Sequence, residues 1–358
     1  MVEGSAEGRS SRNHIAEAGF ETIASQSRGQ RQRVVFRVDE CWAGEWLGPT
    51  VLEVDDRGIR RSAATPTAHL PGTVLPGLRD AHVHLGLIDP TALLAAGIGA
   101  VDDCGWDPDA ARTWAADQHL PEVRFAGAFL TAPGGYPSDR DWAPTASVLE
   151  VAGTDDAGAA VQRQLDAGAS FIKVTLNAAA GPVLDDAKLC AIVGEAHSRG
   201  LGVTAHVEGA GQAERAFRAG VDRFAHAPFT ERLSDDLLSA MADNVSWVST
   251  LDIHGWGEPT TAFDIASDNV RHFRDLGGRV VYGTDLGNGP LPVGINHREL
   301  SALTEAGFGG DQLVAAIAPA RFGRILSHLA DDRHADTAAW LAGASAITPD
   351  QLLERLAQ

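Results

Sequence analysis

The stretch Gly72–Gly86 runs apolar to the pair Pro76-Gly77 and then delivers His82 and His84. Residues two apart in an extended chain point to the same side. Paired neutral imidazoles are a common grip for a divalent transition metal. By itself the pair carries little weight: 13 His in 358 residues give roughly 0.5 such pairs by chance, so spacing alone is only a hypothesis. Polar residues recur, however, along later apolar runs. Lys173 lies inside Phe171–Leu176, and His206 ends Gly202–His206. His226 ends Arg223–His226, and Asp285 ends Arg279–Asp285. Each has a bland reading. An isolated strand histidine is usually a hydrogen-bonded structural residue, Asp is also a favoured helix N-cap, and Lys173 could form an inward salt bridge. An unpaired ammonium between Ile172 and Val174 would nevertheless be costly to bury. One shared cause, a metal site, accounts for the whole set better than separate coincidences.

The elements that must position these residues form a repeating cassette from residue 73 onward. A helical stretch ends at a glycine, and a short apolar strand follows two to four residues later. The junctions are Ala96-Gly97, Ala167-Gly168, Arg199-Gly200, Ala219-Gly220 and Leu276-Gly277. Glycine just past a helix end suits the left-handed backbone required there. The helices are one-sided: Leu189, Ile192, Val193 and Ala196 share a stripe that Asp185 and Glu195 avoid. The expected strands are the one before His82, then Gly99–Asp102, Val123–Phe129, Phe171–Leu176, Gly202–His206, Arg223–His226, Ser246–Leu251 and Arg279–Asp285. Eight alternations of strand and helix predict an α/β fold, a (β/α)8 TIM barrel over 73–329. The active end of such a barrel is the C-terminal edge of its strands.

Ahead of the barrel, Val34–Val38, Thr50–Val54 and Ile59–Ser62 alternate like short strands, with a turn at Asp55–Gly58. Residues 31–72 are too short to stand alone. With part of 330–345 they are expected to form a small flanking β-sandwich-like domain built from the N- and C-terminal segments. Residues 1–30 read as a mobile tail with one short helix at Asn13–Ala24, without the apolar core of a secretory signal. Residues 346–358 read as a C-terminal helix capped by Thr348, Pro349 and Gln351.

A formal charge of −19 argues against nucleic acid or an anionic membrane as partner. No run of apolar residues is long enough to span a bilayer. Cys41, Cys104 and Cys190 are odd in number and scattered, which is no disulfide framework; all three are expected as buried small apolar residues. Cytoplasmic localisation follows as the default, and homo-oligomerisation is left open.

The combined set resembles the amidohydrolase superfamily. The residues that carry the likeness are Pro76-Gly77, Asp80-Ala-His82-Val-His84, Phe171-Ile-Lys-Val174, His197–His206, Ala219–His226 and Gly283-Thr-Asp285. The binuclear branch, with imidazolonepropionase-like hydrolases and Xaa-Pro or Xaa-Arg dipeptidases, is the most similar. The resemblance implies that His82, His84 and Asp285 hold one divalent metal and His206 and His226 a second, with Zn favoured by the donor types. It implies that Lys173 is carboxylated by CO2 to a carbamate bridging both ions, which also removes the buried-charge problem. The implied reaction is hydrolysis of an amide or cyclic amide C–N bond in a peptide-like or N-acyl substrate. Hydroxide held between the metals attacks the carbonyl, and Asp285 relays the proton to the leaving nitrogen.

Further candidates lie on the loops. Tyr136, in Thr131–Tyr136 after the third strand, and His254, after the seventh, could touch substrate. Asp80 reads either as a support for the His pair or as a plain turn residue. Glu208 lies two after His206, whereas the deaminase-like branch has a Glu three after that His; Gly209 stands there, which weakens a mononuclear deaminase or cyclic-imidate hydrolase. A lactonase would use the same hydroxide attack, and a catalytically silent barrel kept for binding would have no need of Lys173. The C-terminus departs from the family pattern: Ala316–Ala320 replaces the usual Asn-Pro-Ala turn, and Thr337–Leu341 is expected as the return strand of the small β unit.

Overall fold

The computed structural model describes residues 33–331 and 336–357; the expected N-terminal tail lies outside them. Four strands open the described chain: β1 (Val34–Cys41), β2 (Thr50–Asp55), β3 (Gly58–Arg61) and β4 (Ala68–Pro76). The barrel region follows with β5 (Arg79–Val83), β6 (Ala100–Asp103), β7 (Glu122–Phe125), β8 (Phe129–Thr131) and β9 (Val148–Glu150). It continues with β10 (Ile172–Asn177), β11 (Val203–Glu208), β12 (Arg223–Phe224), β13 (Ser246–Val248) and β14 (Arg279–Val281). Two late strands, β15 (Leu326–Leu329) and β16 (Ser345–Ile347), come last.

The staves from β5 to β14 run parallel, and helices cover the connections between most of them. The ring closes where Ala81 N–H donates to the Tyr282 carbonyl at 3.0 Å, Asp285 N–H to His82 at 2.8 Å and His84 N–H to Leu286 at 2.8 Å. Those bonds seat the start and end of the barrel side by side, so His82, His84 and Asp285 meet although about two hundred residues separate them. A buried interior of Leu, Ile, Val and Ala packs the helices on the staves; Ile172, Val174, Leu189, Ile192 and Val203 are its central members.

The third stave differs from the expected single strand Val123–Phe129. It breaks at Ala126–Ala128, so that β7 pairs with β6 and β8 with β10. The fully buried Gln164 side chain supplies the missing ladder partner, accepting from Ala128 N–H at 2.8 Å. Gly127 has φ 75 at the break, and a Cβ there would lie 2.3 Å from the Gln164 side-chain oxygen.

Strands from both ends of the described chain build the flanking sheet, in the order β16-β15-β4-β1-β2-β3. Phe36, Val38, Leu52, Val54, Val74, Leu326 and Ile347 form its buried cluster. The return strands are β15 and β16, not Thr337–Leu341. That segment is a helix, Thr337–Ala342, because Asp336 caps it by accepting from Ala339 N–H and its alanines favour helix over strand. Pro349–Leu356 is the last helix, with Thr348 and Gln351 capping each other. Cys41 and Cys104 are buried as expected, but Cys190 is exposed, off the buried stripe of its helix Asp186–Ser198. No described helix is long and apolar enough to cross a membrane.

Candidate metal centre

Seven of the eight residues singled out as ligands or substrate contacts line one small cavity at the C-terminal mouth: His82, His84, Tyr136, Lys173, His206, His226 and Asp285. Phe129, Thr175 and Asn288 complete its wall, and its volume is about 30 Å³. That is room for solvent-sized species rather than for a substrate. His254 does not line it; its ring packs 4.2 Å from Phe229 and 6.4 Å from His226.

The first three donors are assembled closely. The His82 and His84 Nε2 atoms stand 3.3 Å apart, and Asp285 Oδ1 lies 3.1 Å from one and 3.2 Å from the other. The opposite ring nitrogens are occupied: His82 Nδ1 bonds the Ala225 carbonyl at 2.7 Å and His84 Nδ1 the Gly105 carbonyl at 3.2 Å. Both therefore present Nε2 to the cavity, the arrangement by which a carbonyl fixes the tautomer of a metal-binding histidine. Asp285 Oδ1 is buried and has no hydrogen-bond partner. A buried carboxylate oxygen left open is expensive, and a cation between it and the two imidazoles removes the expense. The donor set fits a divalent metal.

The other two imidazoles continue the row. Ring centroids are 4.7 Å apart for His82 and His226 and 4.9 Å for His226 and His206. His226 Nδ1 meets Thr250 Oγ1 at 2.9 Å and so leaves Nε2 open. His206 is turned the other way: its Nε2 meets Glu208 Oε2 at 3.1 Å, and Asn177 donates to the same oxygen at 2.7 Å. Its free nitrogen is Nδ1. These two rings lie outside the group of three donors that fall within 4.8 Å of one another. Lys173 is fully buried, with no carboxylate within 4.0 Å of its amine among the described residues.

Burial sets the protonation states. It lowers His82 and His226 well below the usual imidazole value, leaving each with a lone pair at neutral pH. It lowers the Lys173 ammonium as well. Burial works to raise Asp285, but the surrounding imidazoles of His82, His84 and His226 outweigh it and hold the carboxyl well below the ordinary range.

Several supporting residues had no clear signal in the sequence. Asp80 is not in a turn. Its Oδ1 accepts from the N–H groups of His82 and Thr284, both at 3.0 Å, and its Oδ2 from the Thr284 hydroxyl at 2.6 Å. It thereby ties β5 to the segment that presents Asp285, while burial pushes its own carboxyl up to about 7. Asp80→Ala would leave three buried donors without partners and should cost about 3 kcal/mol or more. Urea unfolding of the metal-free protein measures this; a loss under about 1 kcal/mol would show that the clamp is dispensable. Asp103 performs a similar service beside His84, accepting from Leu85 N–H at 2.8 Å. Two non-glycine residues of the site hold left-handed backbone, Thr250 at φ 40 and Asp285 at φ 60. Such strain concentrates where function over-determines geometry, and for the β-branched Thr250 it is a true outlier. Buried Glu299 holds the turn after Thr250 by accepting from the N–H groups of Leu251 at 3.0 Å and Asp252 at 2.7 Å.

The model of the amidohydrolase family matches residues 73–306, which holds every one of these donors. The chain belongs to the amidohydrolase family. Uncharacterized proteins of Mycobacterium tuberculosis and Mycobacterium bovis are 29% identical to this amidohydrolase over 247 residues. The match covers 63% of this chain and 62% of theirs, so it spans less than two thirds of the length of those curated relatives. Among solved structures, a Xaa-Pro dipeptidase with bound methionine has a TM-score of 0.70 at 18% identity, over 89% of this chain and 98% of that one. The ochratoxinase of A. niger has 0.73 at 16%, over 89% and 95%. At such identities the shared feature is the fold, a TIM barrel with its flanking sheet.

Proposed function

We propose that this member of the amidohydrolase family is a binuclear metal hydrolase that cleaves an amide or cyclic amide C–N bond in a peptide-like or N-acyl substrate. The observation that carries the reading is the unpartnered Asp285 oxygen buried between two imidazoles that both present Nε2. His82, His84 and Asp285 would hold one ion. His206 and His226 would hold the other through Nδ1 and Nε2, and two donors are too few for a stable site. Lys173, which lines the same cavity, would supply a third as the carbamate that the amidohydrolase resemblance implies. Its lowered ammonium pKa favours the neutral amine that reacts with CO2, and the negative group so formed is at home between cations.

Divalent ions bound there would supply a hydroxide nucleophile at neutral pH and polarise the scissile carbonyl. The rest is the work of the chain. Asp285, ionised and facing the cavity, takes a proton on Oδ2, the oxygen beside Asn288, and returns it to the leaving nitrogen. Glu208 orients His206, and Thr250 orients His226. Trp142 lies over the mouth, its ring 6.2 Å from both His84 and Tyr136, and Tyr136 lies 5.5 Å from the His206 ring. These aromatic walls exclude water and suit a substrate with an apolar flank. His254 lies outside the cavity; its Nε2 is buried without a partner, and burial lowers the ring's pKa to about 4, so the ring is neutral at pH 7.

The test is a panel of N-acyl amino acids, dipeptides, cyclic imides and lactones offered to protein stripped by a chelator and then reloaded with Zn in bicarbonate. Hydrolysis of at least one amide should appear only after reloading. Activity that survives complete metal removal would reject the proposal, and turnover confined to lactones would reject its C–N specificity.

A further inference from the structure

The opposite mouth of the barrel carries a second cluster that the hydrolase chemistry does not use. Arg79, Arg223 and Arg279 are the first residues of β5, β12 and β14, and Arg124 lies in β7. With Asp102 they line a cavity of about 230 Å³ that extends to the segment Ala315–Ala320. Asp102 is fully buried and is the one carboxylate among the lining residues. It stands 2.5 Å from Arg79, 2.9 Å from Arg223 and 3.7 Å from Arg124. Arg279 is exposed, and among the described residues it has no carboxylate within 4.0 Å.

Four guanidinium groups against one carboxylate leave three positive charges in excess (4 − 1), in a chain of formal charge −19. A structural plug is the plain reading, since the N-terminal face of a TIM barrel ordinarily serves stability. Asp102 paired with Arg79 and Arg223 would make such a plug. Arg124 also reaches Asp102, at 3.7 Å, and lies over the Phe171 ring, but the plug gives no reason to place Arg279 at the same opening, where like charges repel. At Arg124 burial pushes the guanidinium below its usual value; Asp102 works against this, and Arg79 and Arg223 add to it.

We propose that this mouth is a binding site for a small dianionic oxyanion, a phosphate group, held by Arg124 and Arg279 with support from Arg79 and Arg223. Guanidinium forks pair with tetrahedral oxyanions through two parallel hydrogen bonds. Forks arriving from four different staves suit a tetrahedral group better than a planar carboxylate. The volume is below the roughly 300–1,000 Å³ of pockets for drug-sized ligands, so the occupant is free phosphate or a short phosphate monoester. The site lies across the barrel core from the metals, and occupancy would act on the stability of the barrel rather than on the reacting atoms.

The experiment is thermal unfolding and calorimetric titration of the full, metal-loaded chain with inorganic phosphate at constant ionic strength, with chloride as control. Phosphate should raise the Tm saturably where chloride does not. The double variant Arg124→Gln/Arg279→Gln should bind phosphate about tenfold or more weakly. Arg279→Gln alone, which breaks no ion pair, carries the same test with a smaller loss should the double variant fold poorly. Glycerol 3-phosphate binding tighter than phosphate identifies an ester as ligand, and weaker binding identifies the free ion; either supports the site. No saturable shift overturns it. So does a shift that is unchanged in the arginine variants but lost in Asp285→Ala, because phosphate would then sit at the metal centre.

Discussion

Lys173→Ala should fold, should retain at most one of two metals, and should lose activity on the order of a thousandfold. Folding survives because the change removes a buried amine that has no ion-pair partner among the described residues, so no charged partner is left buried and unpaired. The vacated space is modest and sits beside a cavity of about 30 Å³ that small solutes can enter. The activity loss follows from the donor count. Without a bridging group the ion on His206 and His226 keeps two protein ligands, and a Lewis acid worth several kcal/mol of transition-state stabilisation disappears; at about 1.4 kcal/mol per decade that is roughly three decades. Short carboxylic acids added to the variant should restore part of the rate, since acetate or formate can occupy the bridging position. Steady-state kinetics with and without formate, alongside metal analysis, checks this. An unchanged rate in the variant would remove Lys173 from the reaction.

Asp285→Asn should lower kcat by about a thousandfold, within the range usual for loss of a general acid–base group, with a much smaller change in KM. Asn is the informative replacement. It tolerates left-handed backbone, so the φ of 60 at this position is not a reason for misfolding. Its amide can still accept from Asn288, which donates to Asp285 Oδ2 at 2.9 Å. What it cannot do is carry a proton. If kcat falls and the metal content holds, Asp285 acts on protons; a loss that tracks metal content alone would make it a ligand and nothing more.

The candidate donor set was legible because residue type and strand position coincide. His82, His84, Lys173, His206, His226 and Asp285 each sit on or just past an apolar run, and the helix-closing glycines between them, such as Gly168 at φ 92, set the rhythm of a barrel. What the sequence hid is what depends on contacts across the fold. Asp80 reads either as a support for the His pair or as a turn residue, and only the chain after β14, returning beside it, decides for support. Gln164, in the middle of a helix, gave no hint that it would patch the break in the third stave. Thr337–Leu341 reads from the sequence as a return strand, and Asp336 in the capping position makes it a helix instead. The pairing of His206 with Glu208, two residues on, follows from strand alternation. That Glu208 would also meet Asn177 requires the neighbouring stave, in which Asn177 pairs in register with Glu208.

The convergence of these side chains on two cations is tested most directly by anomalous diffraction from a crystal of the Zn-loaded, bicarbonate-treated protein, recorded on both sides of the metal edge. Two peaks are expected within coordinating distance of Lys173, one among His82, His84 and Asp285 and one at His206 and His226. A single peak at the first triad with Lys173 unmodified, or no peak in this cavity at all, would contradict the account.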